Sequence, residues 1–81
     1  MAKLTLDKMR KNSRGRVVDL KGGSEFQRRM DSLGIHTDAV IMKKNAQALR
    51  GPINVTVGNT EIAIGHGMAS KILVELSGEE K

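Results

Sequence analysis

The sequence predicts a mainly β fold: a small, strongly bent, partly closed barrel of about five short strands, with one helix inserted after the first strand. Three observations predict it. From Ile53 to Leu76, apolar residues alternate with polar ones in runs too short for anything but strands. Glycine, once beside asparagine at Gly58-Asn59, punctuates those runs at turn spacing. The chain has 81 residues, of which 38% are hydrophobic, too few for a two-sheet sandwich of ordinary size. Curling one sheet on itself is then the compact way to protect strand edges.

The elements follow in chain order. Leu4 and Leu6 form an apolar lead-in. Val17-Val18-Asp19-Leu20, between Gly15 and Gly22-Gly23, reads as the first strand. Ser24 is a good N-cap and Gln27 stands three residues on, as a capping box requires. Phe26, Met30 and Leu33 fall on one face of the helix that follows, with Glu25 placed to pair with Arg28 or Arg29. Gly34 stops it in the position that favours a left-handed residue. Ala39 to Lys43 is the second strand, Asn45 to Gly51 a loop, and Pro52 is tolerated only at an edge or a first strand position. Ile53, Val55 and Val57 line one face of the third strand. Gly58-Asn59 makes a two-residue hairpin into Thr60, Ile62 and Ile64. Gly65-His66-Gly67 reads as a turn, and Ile72, Val74 and Leu76 as the last strand. Residues 77–81 read as a polar tail. The whole, 1–81, is one domain with its core over about 4–76.

Composition narrows the function classes. There is no cysteine, so disulfides, thiolate metal sites and cysteine nucleophiles are excluded. No apolar run approaches the ~20 residues that span a bilayer, and no secretory h-region follows Met1, so the expected location is cytoplasmic. The net charge is +5. Residues 1–30 hold nine Lys/Arg against three Asp/Glu, and residues 31–81 hold five against six, so the excess is N-terminal. Such a face fits a solvated charge cluster, a nucleic acid, an acidic protein or a membrane surface. Phe26 is the one aromatic residue. Single-strand binders gain roughly 1–3 kcal/mol per base from stacking on aromatics, and no nucleic-acid partner is expected here.

The candidates for chemistry are few. His36, Asp38 and His66 are the metal-ligand candidates; His36 stands two residues before Asp38, and the two histidines lie on separate loops without close ligand spacing. Ser24 is assigned to the helix cap, leaving no nucleophile–base constellation. Gly22-Gly23-Ser24 opens a helix but lacks the Lys of a P-loop. No enzymatic activity and no cofactor are expected.

The ordered motifs carry a family resemblance. Gly15-Arg16-Val17-Val18 leads to Gly22-Gly23, then Arg29-Met30-Asp31-Ser32-Leu33-Gly34-Ile35, then Val40-Ile41. Gly51-Pro52-Ile53-Asn54-Val55-Thr56-Val57-Gly58-Asn59-Thr60-Glu61-Ile62-Ala63-Ile64-Gly65 follows, and Ala69-Ser70-Lys71-Ile72-Leu73-Val74 closes the pattern. This resembles the FeoA family, the small cytoplasmic component of bacterial ferrous iron transport. Met30 stands where the family has Leu, Asn12 where a Gly is common, and Thr37-Asp38 in place of a Pro-Gly turn. The resemblance implies an SH3-like barrel and a non-enzymatic role beside FeoB, the membrane permease with a G-protein domain. The same barrel ends DtxR-like metal-dependent repressors, but nothing in this sequence resembles their helix-turn-helix.

The expected function is therefore accessory: binding and modulating an FeoB-type permease on its cytoplasmic side through protein–protein contacts, meeting the membrane only through that permease. The partner-binding candidates are Arg28 on the helix back and Leu49 with Arg50 in the loop before Pro52. A thin core without staples leaves room for a partner or self-association to add stability. The alternative is a divalent-metal-sensing module using His36, Asp38 or His66, and after it a basic nucleic-acid-binding barrel.

Overall fold

The structure, a computed structural model, describes residues 3–46 and 51–76. Among them the chain forms strands β1 (Lys3–Thr5), β2 (Arg14–Leu20), β3 (Val40–Ala46), β4 (Ile53–Val57), β5 (Thr60–Ile64) and β6 (Ile72–Leu76). Helix α1 (Ser24–Ser32) follows β2, helix α2 (His66–Ala69) follows β5, and a single 3₁₀ turn, Leu6–Lys8, follows β1. All strand pairs are antiparallel, in the order β1-β6-β2-β3-β4-β5.

That order corrects the expected fold class. The sheet is open: its terminal strands, β1 and β5, are not paired to each other, so no closed SH3-like barrel forms. The count is six strands, α1 follows the second of them, and α2 is an additional helix. The chain leaves its end strands too early for closure. After only three residues of β1 it turns into the 3₁₀ segment, and one residue after β5 it enters α2. These two short segments pack against each other. They bury Leu6, Met9 and Ala69 to 3% exposure or less, so side chains rather than strand pairing fill the opening.

Two bulges adjust the faces of the sheet. In β2, Gly15 and Val17 are buried at period two, yet Leu20 is also buried, three residues after Val17. The register shift between Val17 and Asp19 absorbs the extra residue and restores the inward face. A second shift, between Lys43 and Asn45, bends β3 against β4. β3 runs on to Ala46, so Asn45 and Ala46, expected in a loop, are strand residues. Gly15 is required where β2 meets β6: a Cβ there would lie 2.7 Å from the Glu75 carbonyl oxygen.

Inside the curve lie Val17, Met30, Ile35, Ile41, Ile53, Val55, Ile72 and Val74, each no more than 1% exposed. Full burial of a side chain of this size contributes about 1.5–3 kcal/mol. The predicted faces of β4 and β6 are the observed ones, with Ile53, Val55, Ile72 and Val74 inward. The hairpin at Gly58-Asn59 joins Val57 to Thr60, with φ +61° at Gly58 alone, the pattern of a type II′ turn.

Helix α1 begins one residue earlier than its cap assignment. Gly23, in an extended conformation, is the N-cap, and Ser24 is the first helical residue, with no side-chain cap bond. Gln27 still reaches back, donating from Nε2 to the Gly22 carbonyl at 3.1 Å and the Leu20 carbonyl at 3.3 Å. The helix stops in a Schellman motif: Gly34 N donates to Asp31 O (2.9 Å) and Ile35 N to Met30 O (2.9 Å), with Gly34 at φ +85°. Leu33 therefore leaves the helix face expected of it and is 38% exposed, while Ile35 folds back into the core beside Met30. Asn12 (φ +70°) and Asp38 (φ +79°) take left-handed conformations that their short polar side chains tolerate.

Candidate functional site

Between α1 and α2 lies a shallow groove of about 370 Å³, lined by Glu25, Phe26, Arg29, Met68 and Lys71. Its floor is apolar. Phe26 and Met68 are half-buried at the margin of the core. Gly22 makes room for the ring, since any side chain there would strike it. The Lys71 ammonium stands 5.6 Å from the ring centroid, a cation–π contact that holds a positive charge over the apolar floor. α2 positions this side: Lys71 N donates to Met68 O at 3.0 Å, and Lys71 O accepts from Lys21 N at 2.8 Å. Arg28 and Arg29 are exposed on α1, and among the described residues neither pairs with Glu25 or any other carboxylate. The expected Glu25–arginine pairs do not form. Two cations, Arg29 and Lys71, and one carboxylate, Glu25, thus rim the apolar floor, as suits an anionic, partly apolar ligand.

A smaller hollow of about 210 Å³ lies on the sheet face, lined by Arg14, Val40, Met42, Thr56 and Gly58. Val40, 53% exposed, gives it an apolar wall.

The metal-ligand candidates are dispersed. His36 is exposed, its Nδ1 3.0 Å from the Thr37 carbonyl. The Asp38 carboxylate accepts from Arg16 at 2.6 Å, and Arg16 also donates to Glu75 at 2.8 Å. Those two hydrogen bonds raise the guanidinium pKa. His66 opens α2, in a helix where a turn was expected, because Gly65 caps it while Ala69 is drawn into the core. Among the described residues no group of three or more His, Asp or Glu side chains is placed to hold a metal ion. Arg28 is exposed on α1 and is not among the residues lining the α1–α2 groove; Leu49 and Arg50 lie outside the described residues.

Sequence reasoning missed Lys43. It sits on the inward face of β3, 6% exposed, and donates from Nζ to the Met9 carbonyl (2.7 Å) and the Asp7 carbonyl (3.1 Å). Burial lowers its pKa, and the Asp7 charge opposes that shift. Asp7 in turn faces His66, Oδ2 to Nε2 3.7 Å, while its Oδ1 is buried without a partner among the described residues. The one available signal was parity: Lys43 stands two residues after the inward Ile41.

An open antiparallel sheet packed on helix α1, with a shallow groove whose apolar floor is rimmed by Arg29, Lys71 and Glu25, defines a small β-domain with a charged surface groove. The FeoA domain model matches residues 4–76, and the chain belongs to the FeoA domain family, whose domains are not enzymes. It is similar to a crystal structure of an iron uptake regulatory protein (FeoA), with 28% identity, 95% of this chain and 100% of that one covered, and a TM-score of 0.87. It is similar also to the solution structure of an FeoA-like protein from Clostridium acetobutylicum, at 20% identity over 100% of this chain and 94% of that one, TM-score 0.85. A manganese-dependent transcriptional repressor shares the fold at 21% identity and TM-score 0.84, where 93% of this chain covers 42% of that one. No curated protein sequence matches at a comparable level. No described helix is long and apolar enough to cross a membrane.

Proposed function

We propose that this chain is a cytoplasmic accessory protein of bacterial ferrous iron transport that binds an FeoB-type permease and modulates it by protein–protein contact. The family match over residues 4–76 carries this reading. The structure adds a physical rationale. With a core this small and a sheet this open, the described concave surface is a shallow groove, suited to gripping a partner's side chain rather than enclosing a substrate. Arg28, exposed on α1, supplies steering charge, and Leu49 with Arg50 remain candidate anchors.

The test is deletion and co-purification. Loss of the protein lowers Fe(II) uptake under iron limitation, and the tagged protein retains the permease. Uptake that is unchanged in the deletion strain refutes the transport role. Leu49→Asp weakens the complex without unfolding the domain, and unchanged affinity rules that residue out as an anchor.

A further inference from the structure

We infer that the α1–α2 groove is the docking site for an acidic peptide segment that inserts one aliphatic side chain between Phe26 and Met68 and sets carboxylates against Lys71 and Arg29. The inference rests on the reading of the chain as a protein-binding module and goes further by naming the surface and the chemistry of what it grips.

Three features carry it. The floor is built from one flat ring and one thioether, and methionine reshapes around an inserted side chain with little rotamer cost. The rim has unspent charge: Arg29 has no acidic partner among the described residues, and Lys71 has only the Phe26 ring. Lys71 over that ring is already placed to meet an incoming carboxylate, so a second interaction forms without reordering a free lysine. Glu25 on the same rim repels a uniformly anionic surface and so favours a ligand whose charges are spaced around an apolar centre. The other hollow, around Val40, has no comparable ring of unpaired cations. There Arg14 already has an interaction, and nothing on that face selects an occupant.

The probe is a synthetic acetyl-Asp-Glu-Leu-Glu-Asp-amide peptide, titrated into the ¹⁵N-labelled full chain. Saturable shifts of the Phe26, Arg29, Met68 and Lys71 amides are expected. The same peptide with Ala for Leu, and a Lys-Lys-Leu-Lys-Lys peptide, should bind at least about tenfold more weakly. Arg29→Glu with Lys71→Glu should lose the response while the rest of the spectrum stays that of a folded chain. A Lys71→Met single variant guards against a double variant that fails to fold, and it should weaken the acidic peptide only. Shifts centred elsewhere, equal response to the Ala or Lys peptides, or full response in Lys71→Met each overturn the inference. So does a response to phosphatidylglycerol vesicles at these residues with none to the peptide, which would assign the groove to a membrane surface. The permease reading is tested separately. If Lys71→Met co-purifies with the permease as the parent does and the peptide fails, the groove is wrong and the reading stands. If the peptide binds as expected but the parent chain never retains the permease, the groove stands and the permease reading falls.

Discussion

The Lys43 ammonium and the Met9 carbonyl oxygen lie 2.7 Å apart, joining β3 to the chain just after the 3₁₀ turn. A second bond reaches the Asp7 carbonyl at 3.1 Å, so one buried cation ties β3 to the segment that follows β1. Hydrogen bonds from a charged donor are roughly twice as strong as neutral ones. Here they hold the 3₁₀ segment, which belongs to no strand ladder, against the inward face of β3.

Lys43→Met keeps the stem volume and removes the donor. Two carbonyls then lose their partner, and the expected loss is about 2 kcal/mol of unfolding free energy, measured by urea denaturation. A variant as stable as the parent would show that water or backbone adjustment satisfies both carbonyls and that the tie is dispensable.

The same residue sets a pH dependence. Burial lowers the folded-state pKa of Lys43 below its ordinary 10.5. Between the lowered value and 10.5 the unfolded chain holds more protons at this site than the folded one, so this site's contribution to stability rises with pH through that window. Below the folded-state value both forms are charged and the burial penalty is present in full. The expected result is a stability difference, parent minus Lys43→Met, that climbs as pH approaches 10.5 from below. A flat difference would show that the carbonyl bonds compensate the burial completely.

Alternation made β4, β5 and β6 readable in the sequence to the residue, because each sends its β-branched apolar residues to one face at period two. β2 and β3 were found but shortened. β2 begins with Arg14-Gly15-Arg16, where an inward glycine carries no hydrophobic signal, and β3 continues past a buried lysine into polar residues. β1 has three residues, too few to show a period. Closure was the wrong inference because strand count and hydrophobicity say nothing about which end strands meet, and that depended on the 3₁₀ turn and α2. Arg28 and Phe26 were visible as opposite faces of a helix. The grouping of Phe26 with Met68 and Lys71 was not, because it joins segments about forty residues apart.

Gly34 offers a cleaner test of local backbone chemistry. Its φ of +85° lets two amides, Gly34 and Ile35, close the end of α1. Gly34→Ala forces an L residue into that region and should cost about 1 kcal/mol, while Gly34→Asn should cost less. Equal stability of the parent and Gly34→Ala would mean that α1 can end differently while Ile35 remains buried.

Gly15 is constrained by space rather than by φ. A methyl there meets the Glu75 carbonyl oxygen at 2.7 Å and the Val74 side chain, so β2 and β6 must separate. Gly15→Ala is expected to lose about 1–3 kcal/mol. The amides of the β2–β6 ladder should exchange with solvent faster than those of the β4–β5 hairpin. Uniformly faster exchange would mean that the clash lowers global stability without opening that seam.

Arg28 belongs to a different kind of prediction, because it is exposed and unpaired among the described residues. A charge of this sort adds little to folding and acts over distance on an approaching anionic partner. Arg28→Glu should leave the denaturation midpoint where it is. It should slow association with the proposed partner, the permease's cytoplasmic domain, several-fold at low salt, with a smaller effect on dissociation. At 0.15 M ionic strength and above, where the Debye length falls to about 8 Å and below, the two association rates should converge. Surface-plasmon kinetics at two salt concentrations reads both arms. A slowing that persists at high salt, or that appears in the dissociation rate instead, would mean that Arg28 touches the partner directly and is part of the bound interface rather than of the field that guides encounter.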